Sequence, residues 1–400
     1  MPLLMNNRKS KKLLTSTVKA KNYRQFRHGS APVVGILSTV KLSSTTGFPL
    51  GKEARIFQEK FAIAKQYGII MFLFYADDID WINKTINGYQ FITDVGMKEH
   101  WERTIFPFPD VVYNRIRYRN VEKQPNVRQL LKFFDRDSHI KLFNTRFLDK
   151  WEVHEALVSD PTTSKMVPPT MLFSDVNLKH LLNEYSEVFI KPRNNNAGRE
   201  IIKIVRNNSD IFSYCQSASS PPSWIQCSSF SNLCNHLSIL IQNPNNYIVQ
   251  TGIDLCRLEK QVFDLRAQVQ KNGQGQWVFT GMNVRVATGN RFVTYPKAVK
   301  RAPFDKVVAI VTGGSEVFRN KIYSQLSNLY YNVPRVLDEN LGLSLAILSI
   351  DIGMDIHGKP WIIEVSSKSD SFDEKDIRAR HFQYLMEYFL YITTKTRFQK

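Results

Sequence analysis

The stretch that most constrains this chain lies near its end: Ser349-Ile-Asp-Ile-Gly-Met-Asp-Ile-His-Gly-Lys-Pro-Trp-Ile-Ile-Glu-Val-Ser366. Two apolar runs rich in β-branched residues flank a polar break at His357-Gly358, the pattern of an antiparallel hairpin. Glycine enters left-handed backbone without a Cβ clash, and histidine is among the types that tolerate it. A loop symmetric about that pair sets Asp351 directly opposite Glu364, with Ser366 one step further along the same face. Like charges facing each other across a ladder are destabilising, so something must compensate. A divalent cation shared with the phosphates of a nucleotide would do so. A nearby lysine or arginine on one carboxylate would also serve, and so would a bulge that keeps the pair from forming.

At 400 residues the chain has room for two or three structural units, and its 43% apolar share is that of an ordinary soluble globular protein. No apolar run reaches the roughly 18–20 residues that span a bilayer. Residues 1–30 carry Arg8, Lys9, Lys11, Lys12, Lys19, Lys21, Arg24 and Arg27 and no acid, +8 of the formal net charge of +18. Without a long apolar region this stretch reads as a flexible basic arm, not a secretory signal. The remaining positive charge favours anionic partners such as nucleotides, nucleic acid or an acidic polymer. Cys215, Cys227, Cys234 and Cys256 show neither the paired spacing of a zinc site nor a disulfide framework, so free thiols in a reducing cytoplasm are expected.

In chain order, residues 32–38 and 69–75 read as buried strands around a helix over 53–67, a parallel βαβ unit. Asn87-Gly88 signals a hairpin turn, and residues 109–114 a further strand followed by Arg115, Arg117 and Arg119. This first α/β domain is expected over residues 31–140, with a second, larger domain over 141–400. There, residues 148–157 read as a helix carrying Lys150, and 187–192 as a strand ending in Lys191 before a small-residue loop with Gly198. A lysine at that place suits a phosphate, because the loop amides and the ammonium converge on one anion; the bland alternative is a solvated lysine at a strand end. Residues 207–246, rich in Ser, Asn and Pro, read as an irregular insertion in which His236 is structural or exposed. Residues 247–250 form a short strand leading to Thr251 and Gly252. Along 263–270, Asp264, Arg266, Gln268 and Gln270 share one face, for which an exposed sheet face is the simplest account. The returning strand over 277–286 places Asn283 and Arg285 on the same polar side, and Ser371 to Glu374 reads as a capping box for the last helix.

Phe189-Ile-Lys-Pro192, Tyr247-Ile-Val-Gln-Thr-Gly-Ile253, Phe263-Asp-Leu-Arg266, Lys271-Asn-Gly-Gln-Gly275 and Ile350-Asp-Ile-Gly353 with Trp361-Ile-Ile-Glu-Val365 occur in that order. Together with Pro109–Arg115 and Asp149-Lys-Trp-Glu152 they resemble the YheC/YheD family, the endospore coat-associated proteins of the ATP-grasp superfamily, over about residues 31–395. The missing Gly-x-x-x-x-Gly-Lys-Ser/Thr separately argues against a P-loop. The resemblance implies an α/β (α+β) ATP-grasp fold, an N-terminal α/β domain followed by two lobes that clasp ATP. It implies that Lys150 and Lys191 hold the α/β-phosphates, with Gly198 in the phosphate loop, and that the backbone at Gln250, Thr251 and Gly252 meets the adenine. Arg266 and Arg285 then face the γ-phosphate or an acyl phosphate, while Asp351, Glu364 and Ser366 hold Mg2+. Asn194-Asn195-Asn196 departs from a Gly/Ser-rich loop, Glu200 replaces a glycine, and Ser366 replaces an asparagine. Asp370 and Thr294–Lys297 depart as well.

The activity implied is that of an ATP-dependent carboxylate–amine ligase with ATP and Mg2+ as cofactors, a carboxylate and an amine as substrates, and spore coat components as partners. The alternative is a catalytically degenerate ATP-grasp protein with a structural or nucleotide-binding role in the spore. A basic nucleic-acid binder ranks last, since no aromatic-basic recognition module accompanies the charge. The expected location is the cytoplasm, with association to the spore coat.

Overall fold

The computed structural model describes residues 31–398 apart from 94–98, 196–197, 199, 209, 218–222, 288–299 and 369–371. The basic arm, Asn196, Thr294–Lys297, Asp370 and Ser371 therefore lie outside the described residues. Strand β1 (Val33–Ser38), helix α1 (Gly51–Gln66) and strand β2 (Ile70–Phe74) form the expected βαβ unit, β1 pairing parallel with β2. The hairpin strand β3 (Ile79–Asp80) and the long strands β4 (Thr85–Thr93) and β5 (Glu99–Pro107) follow. Strand β6 (Val111–Arg115), helices α2 (Arg119–Glu122) and α3 (Pro125–Arg136), and strand β7 (Lys141–Phe143) complete a sheet ordered β3-β4-β2-β1-β6-β7, with β5 on β4.

Asn87-Gly88 is not a turn: both residues lie inside β4. A Cβ on Gly88 would come within 2.5 Å of the Phe72 ring, which stacks on Phe106. The glycine serves close packing, and the local hairpin signal loses to it.

The chain then passes through helix α4 (Lys150–Val158), strand β8 (Thr170–Leu172), helix α5 (Asp175–Glu184), strands β9 (Glu187–Pro192), β10 (Ile202–Arg206), β11 (Phe212–Gln216) and β12 (Ile225–Cys227), helix α6 (Phe230–Leu240) and strand β13 (Tyr247–Thr251). These strands form an antiparallel sheet, β12-β11-β10-β9-β13-β8. The described residues of 207–246 are thus not irregular. Phe212, Tyr214, Cys227, Leu233 and Leu237 join the same core as β9 and β10, and Ser229 caps α6 by accepting from Asn232 N. The polar composition hid the apolar residues at helical spacing, while His236 packs edge-on against Tyr214.

A third sheet combines β14 (Arg257–Leu258), β15 (Gln261–Lys271), β16 (Trp277–Val286), β17 (Lys300–Ala302), β18 (Ile347–Met354) and β19 (Pro360–Ser366) in the order β17-β16-β15-β18-β19, with β14 on β15. Helices α7 (Phe304–Thr312) and α8 (Glu316–Asn340) precede β18, and α9 (Lys375–Phe398) ends the fold. The inner face of this sheet packs Leu265, Ala267 and Val269 against α4 and α8. The opposite face of β15 is not simply exposed. Gln268 and Gln270 are buried beneath α9, where both hydrogen-bond His381. The expected capping box includes Ser371, outside the described residues; Glu374 is engaged by Arg301 and Asn283, and α9 begins one residue later.

One buried side chain ties the first sheet to the third. Asn144 (φ 51) follows β7 and is 1% exposed. Its Nδ2 donates to Ile347 O (3.0 Å) and Ser367 O (2.7 Å), and its Oδ1 accepts from Ala346 N (3.0 Å) and Ile347 N (3.2 Å). Asparagine tolerates left-handed backbone, and here every donor and acceptor site of its amide is used. We expect Asn144→Ala to cost roughly 3–5 kcal/mol in urea denaturation, since it leaves several buried backbone groups unpaired and puts alanine at positive φ. A loss within experimental error would mean that water replaces the amide without cost.

Candidate functional site

The hairpin β18–β19 sets the floor of the site. Ser349 pairs with Ser366, Ile350 with Val365 and Asp351 with Glu364, as the sequence reading expected, but Ile352 pairs with Ile362 across a bulge. The loop is not symmetric about His357-Gly358. Asp355 N donates to Lys359 O, and the Asp355 carboxylate accepts from His357 N, Lys359 N and Trp361 Nε1. Of the loop pair, only Gly358 (φ 73) has positive φ. The one-residue offset of the loop and the one-residue bulge cancel, so Asp351 still meets Glu364.

The ladders continue that rung across four strands: Asn283 lies opposite Arg266, Arg266 opposite Asp351, and Asp351 opposite Glu364. On the neighbouring rung Arg285 lies between Asp264 and Arg301. Basic side chains neutralise both facing carboxylates. Lys150 Nζ contacts Glu364 Oε1 at 2.8 Å, and Arg285 Nη2 contacts Asp351 Oδ2 at 2.9 Å. Arg285 also grips Asp264 through Nε (2.6 Å) and Nη2 (2.7 Å), while Arg266 Nη1 stands 3.8 Å from Asp351 Oδ1. That Asp351 Oδ1 is buried and accepts no hydrogen bond. Burial works to raise the Asp351 pKa, but Arg285 and Arg266 outweigh it and hold the carboxyl below its usual range.

The antiparallel sheet of β9 and β13 supplies the opposite wall. Alternation along β9 buries Val188 and Ile190 under α5 and α6 and turns Glu187, Phe189 and Lys191 to the cleft. Lys191 Nζ donates to Gln250 Oε1, whose amide in turn donates to Thr170 Oγ1 (2.9 Å). Burial, helped by the nearby Lys150 ammonium, pushes Lys191 down to about 8. Lys150 also donates to Asn195 O at 2.6 Å, which ties α4 to the loop after β9. Glu200 in that loop adopts φ 58, a left-handed conformation suited to the glycine it replaces. The amides of Thr251 and Gly252 already donate to Pro169 O and Glu187 O, and a Cβ on Gly252 would meet Glu187 at 2.7 Å.

Between the two walls lies a cleft of about 830 Å³. Lys191, Gly198, Gln250, Thr251, Gly252, Arg266, Arg285, Asp351, Glu364 and Ser366 all line it, and Lys150 joins through Glu364. The sequence reading did not pick out Lys203, which pairs with Glu187 at 2.7 Å, or Arg119, which reaches Asn194 Oδ1 at 3.3 Å from the first sheet. It also missed the buried pair of Lys368 with Glu122 (2.8 Å). Nothing local marks such residues, because their partners are distant in sequence. Among the described residues no group of three His, Cys, Asp or Glu side chains could hold a metal. A cation here would therefore need ligands beyond Asp351 and Glu364, while the unbonded Oδ1 of Asp351 is an oxygen without a hydrogen bond to give up. No helix among the described residues is long and apolar enough to cross a membrane.

Comparison with known proteins places this geometry. Residues 139–392 match the family described as YheC/D like ATP-grasp. Endospore coat-associated protein YheD of Bacillus subtilis (strain 168) is 27% identical over 340 residues, 84% of this chain and 72% of that protein. Endospore coat-associated protein YheC of the same organism is 21% identical over 284 residues, 67% of this chain and 72% of that protein. The crystal structure of D-cycloserine synthetase DcsG superposes with a TM-score of 0.50 at 15% identity, covering 89% of this chain and 99% of that one, a likeness of fold.

Lys191 gives a test that needs no ligand. A lysine whose folded pKa lies below its unfolded value costs stability while it is charged, and stability rises with pH wherever the unfolded chain is the better proton binder. That cost is full below about 8 and disappears as pH rises from there towards 10.5. Lys191→Met should stabilise the unliganded protein at neutral pH by roughly 1–3 kcal/mol and flatten part of the rise in stability on the alkaline side. Urea midpoints at neutral and alkaline pH measure this, and equal shifts at both would show that Lys191 is not the titrating group.

Proposed function

The chain belongs to the YheC/D like ATP-grasp family, and from that premise we propose that it binds ATP with Mg2+ in the cleft and acts as an ATP-dependent carboxylate–amine ligase. In this reading Lys150 and Lys191 hold the phosphates, Gly198 leaves room for them, and Gln250, Thr251 and Gly252 border the purine. Asp351 and Glu364, assisted by Ser366, would hold Mg2+, which supplies charge neutralisation at the phosphates when bound. Arg266 and Arg285 face the transferring phosphoryl group. The γ-phosphoryl group passes from ATP to a carboxylate oxygen, releasing ADP. An amine nitrogen then bonds to the acyl carbon, the carbon–oxygen bond to phosphate breaks, and the surplus amine proton leaves to solvent.

The observation that carries this reading is the facing pair Asp351–Glu364 with one buried oxygen left unbonded amid three cations, Lys150, Arg266 and Arg285. Those cations exchange their carboxylate partners for phosphate when a nucleotide enters, and the cation offsets the carboxylates they leave. Association with the spore coat is proposed from the names of the two Bacillus relatives.

A degenerate, structural role is the second reading, favoured by Glu200 in left-handed backbone and by Ser366, whose hydroxyl accepts from Lys368 N. Titration with ATP, with and without Mg2+, separates them. We expect roughly 2–3 kcal/mol of thermal stabilisation at about a hundredfold excess over Kd. Asp351→Asn should abolish its Mg2+ dependence, and Glu200→Gly should tighten binding by removing strain and an acid beside the phosphates. No shift with either ligand would leave the structural reading.

A further inference from the structure

We propose that Arg301, Lys52 and Asn283 form the acceptor subsite of the cleft, and that it takes a small molecule carrying an amine beside a carboxylate, in chemical class an amino acid. The proposal rests on the reading of the adjoining pocket as a nucleotide site and deepens it by naming the second substrate.

Arg301 lies directly opposite Arg285 in the β16–β17 ladder. Two guanidinium groups side by side on one rung repel each other unless each has an anion. Arg285 has Asp264 and Asp351. Arg301 instead takes Asp373 Oδ2 at 2.9 Å and Glu374 Oε1, from the turn before α9, and Lys52 at the start of α1 takes Asp373 Oδ1 at 2.6 Å. Lys52, Asn283, Arg301 and Asp373 all line the cleft.

These outer pairs are loosely held. The Lys52, Arg301 and Asp373 side chains are 74%, 45% and 47% exposed. Ion pairs that exposed contribute little, so a ligand carboxylate can replace an internal one at small cost. Asp373 therefore acts as an internal stand-in for the carboxylate of a substrate, while Glu374, 23% exposed, is the firmer partner of Arg301.

Asn283 supplies the second half of the recognition. Its Nδ2 points at both oxygens of Glu374 (3.3 and 3.4 Å), which accept only and so fix the amide orientation. Its Oδ1 is buried and accepts no hydrogen bond. A carboxylate cannot satisfy an orphan acceptor, whereas an amine can. Asn283 faces Arg266 across the ladder, so an amine donated to Oδ1 lies beside the guanidinium placed at the acyl phosphate. The same molecule's carboxylate is held further out, at Arg301. Nucleophile inward and carboxylate outward is the orientation an amide-forming step requires.

The experiment measures binding of L-glutamate, glutarate and n-butylamine to the full chain by ligand-observed NMR, with and without Mg2+ and a non-hydrolysable ATP analogue. L-Glutamate should bind about tenfold more tightly than glutarate and more tightly still than n-butylamine, because it alone satisfies both halves. Arg301→Gln should weaken glutamate about tenfold while leaving affinity for the analogue unchanged, and Arg301→Lys should recover part of the loss. Asp373→Asn combined with Glu374→Gln should tighten glutamate, since the internal competitors are gone. Equal affinity for glutamate and glutarate, or a folded Arg301→Gln protein that binds glutamate undiminished, would overturn the proposal. Failure of the wild-type chain to bind the analogue would strike the nucleotide reading alone, because glutamate binding without the analogue still decides the subsite.

Discussion

Asn144 is the interaction on which the arrangement of the site depends. It uses all four hydrogen-bonding positions of its amide on backbone groups at the start of β18 and just past β19. Both ends of the central hairpin are thereby fixed against the first sheet, next to Phe143 and its aromatic neighbours. Since β18 lies between β15 and β19, fixing it fixes the register of the charged rung. A polar side chain this deep is tolerated only because no donor or acceptor is wasted.

The rung itself is arranged to keep opposite charges adjacent. Asp351 and Glu364 face each other, yet each is held by a different cation from a different element, Arg285 of β16 and Lys150 of α4. Partly buried ion pairs of this kind offset their own desolvation more than they stabilise the fold. What they do supply is preorganisation: the cations are held in fixed places along the cleft. The depressed pKa of Lys191 belongs to the same picture, a cation held in place against the cost of its own burial.

Much of this was legible in the sequence where the signal was local. Continuous apolar runs mark β1, β2, β9 and β18, and strict alternation along β15 separates Leu265 and Ala267 from Asp264 and Arg266. The facing of Asp351 and Glu364 was reached through two offsets that cancel, a five-residue loop organised by Asp355 and a bulge at Ile363. Illegible features depend on partners far along the chain. Gly88 reads as a turn residue until Phe72 is placed against it, and Gln268 and Gln270 read as exposed until α9 covers them. Asn144 and Arg119 have ordinary neighbours in sequence, and only the folded chain gives them their roles.

Helix α9 has a consequence for how the protein is made. Leu385, Met386, Tyr388 and Phe389 lie in the same core as Val34, Phe57, Leu73 and Tyr113, so a helix translated late completes the packing of a sheet translated early. Between Phe143 at the end of that sheet and Leu385 in the covering helix lie about 240 residues, and until they have been translated the sheet presents an open apolar face. The first sheet is then completed only after the two sheets that follow it in the chain, reversing the usual order of co-translational folding. A chain that stops short of α9 would leave the first sheet exposed to chaperones and proteases, however complete the cleft looks.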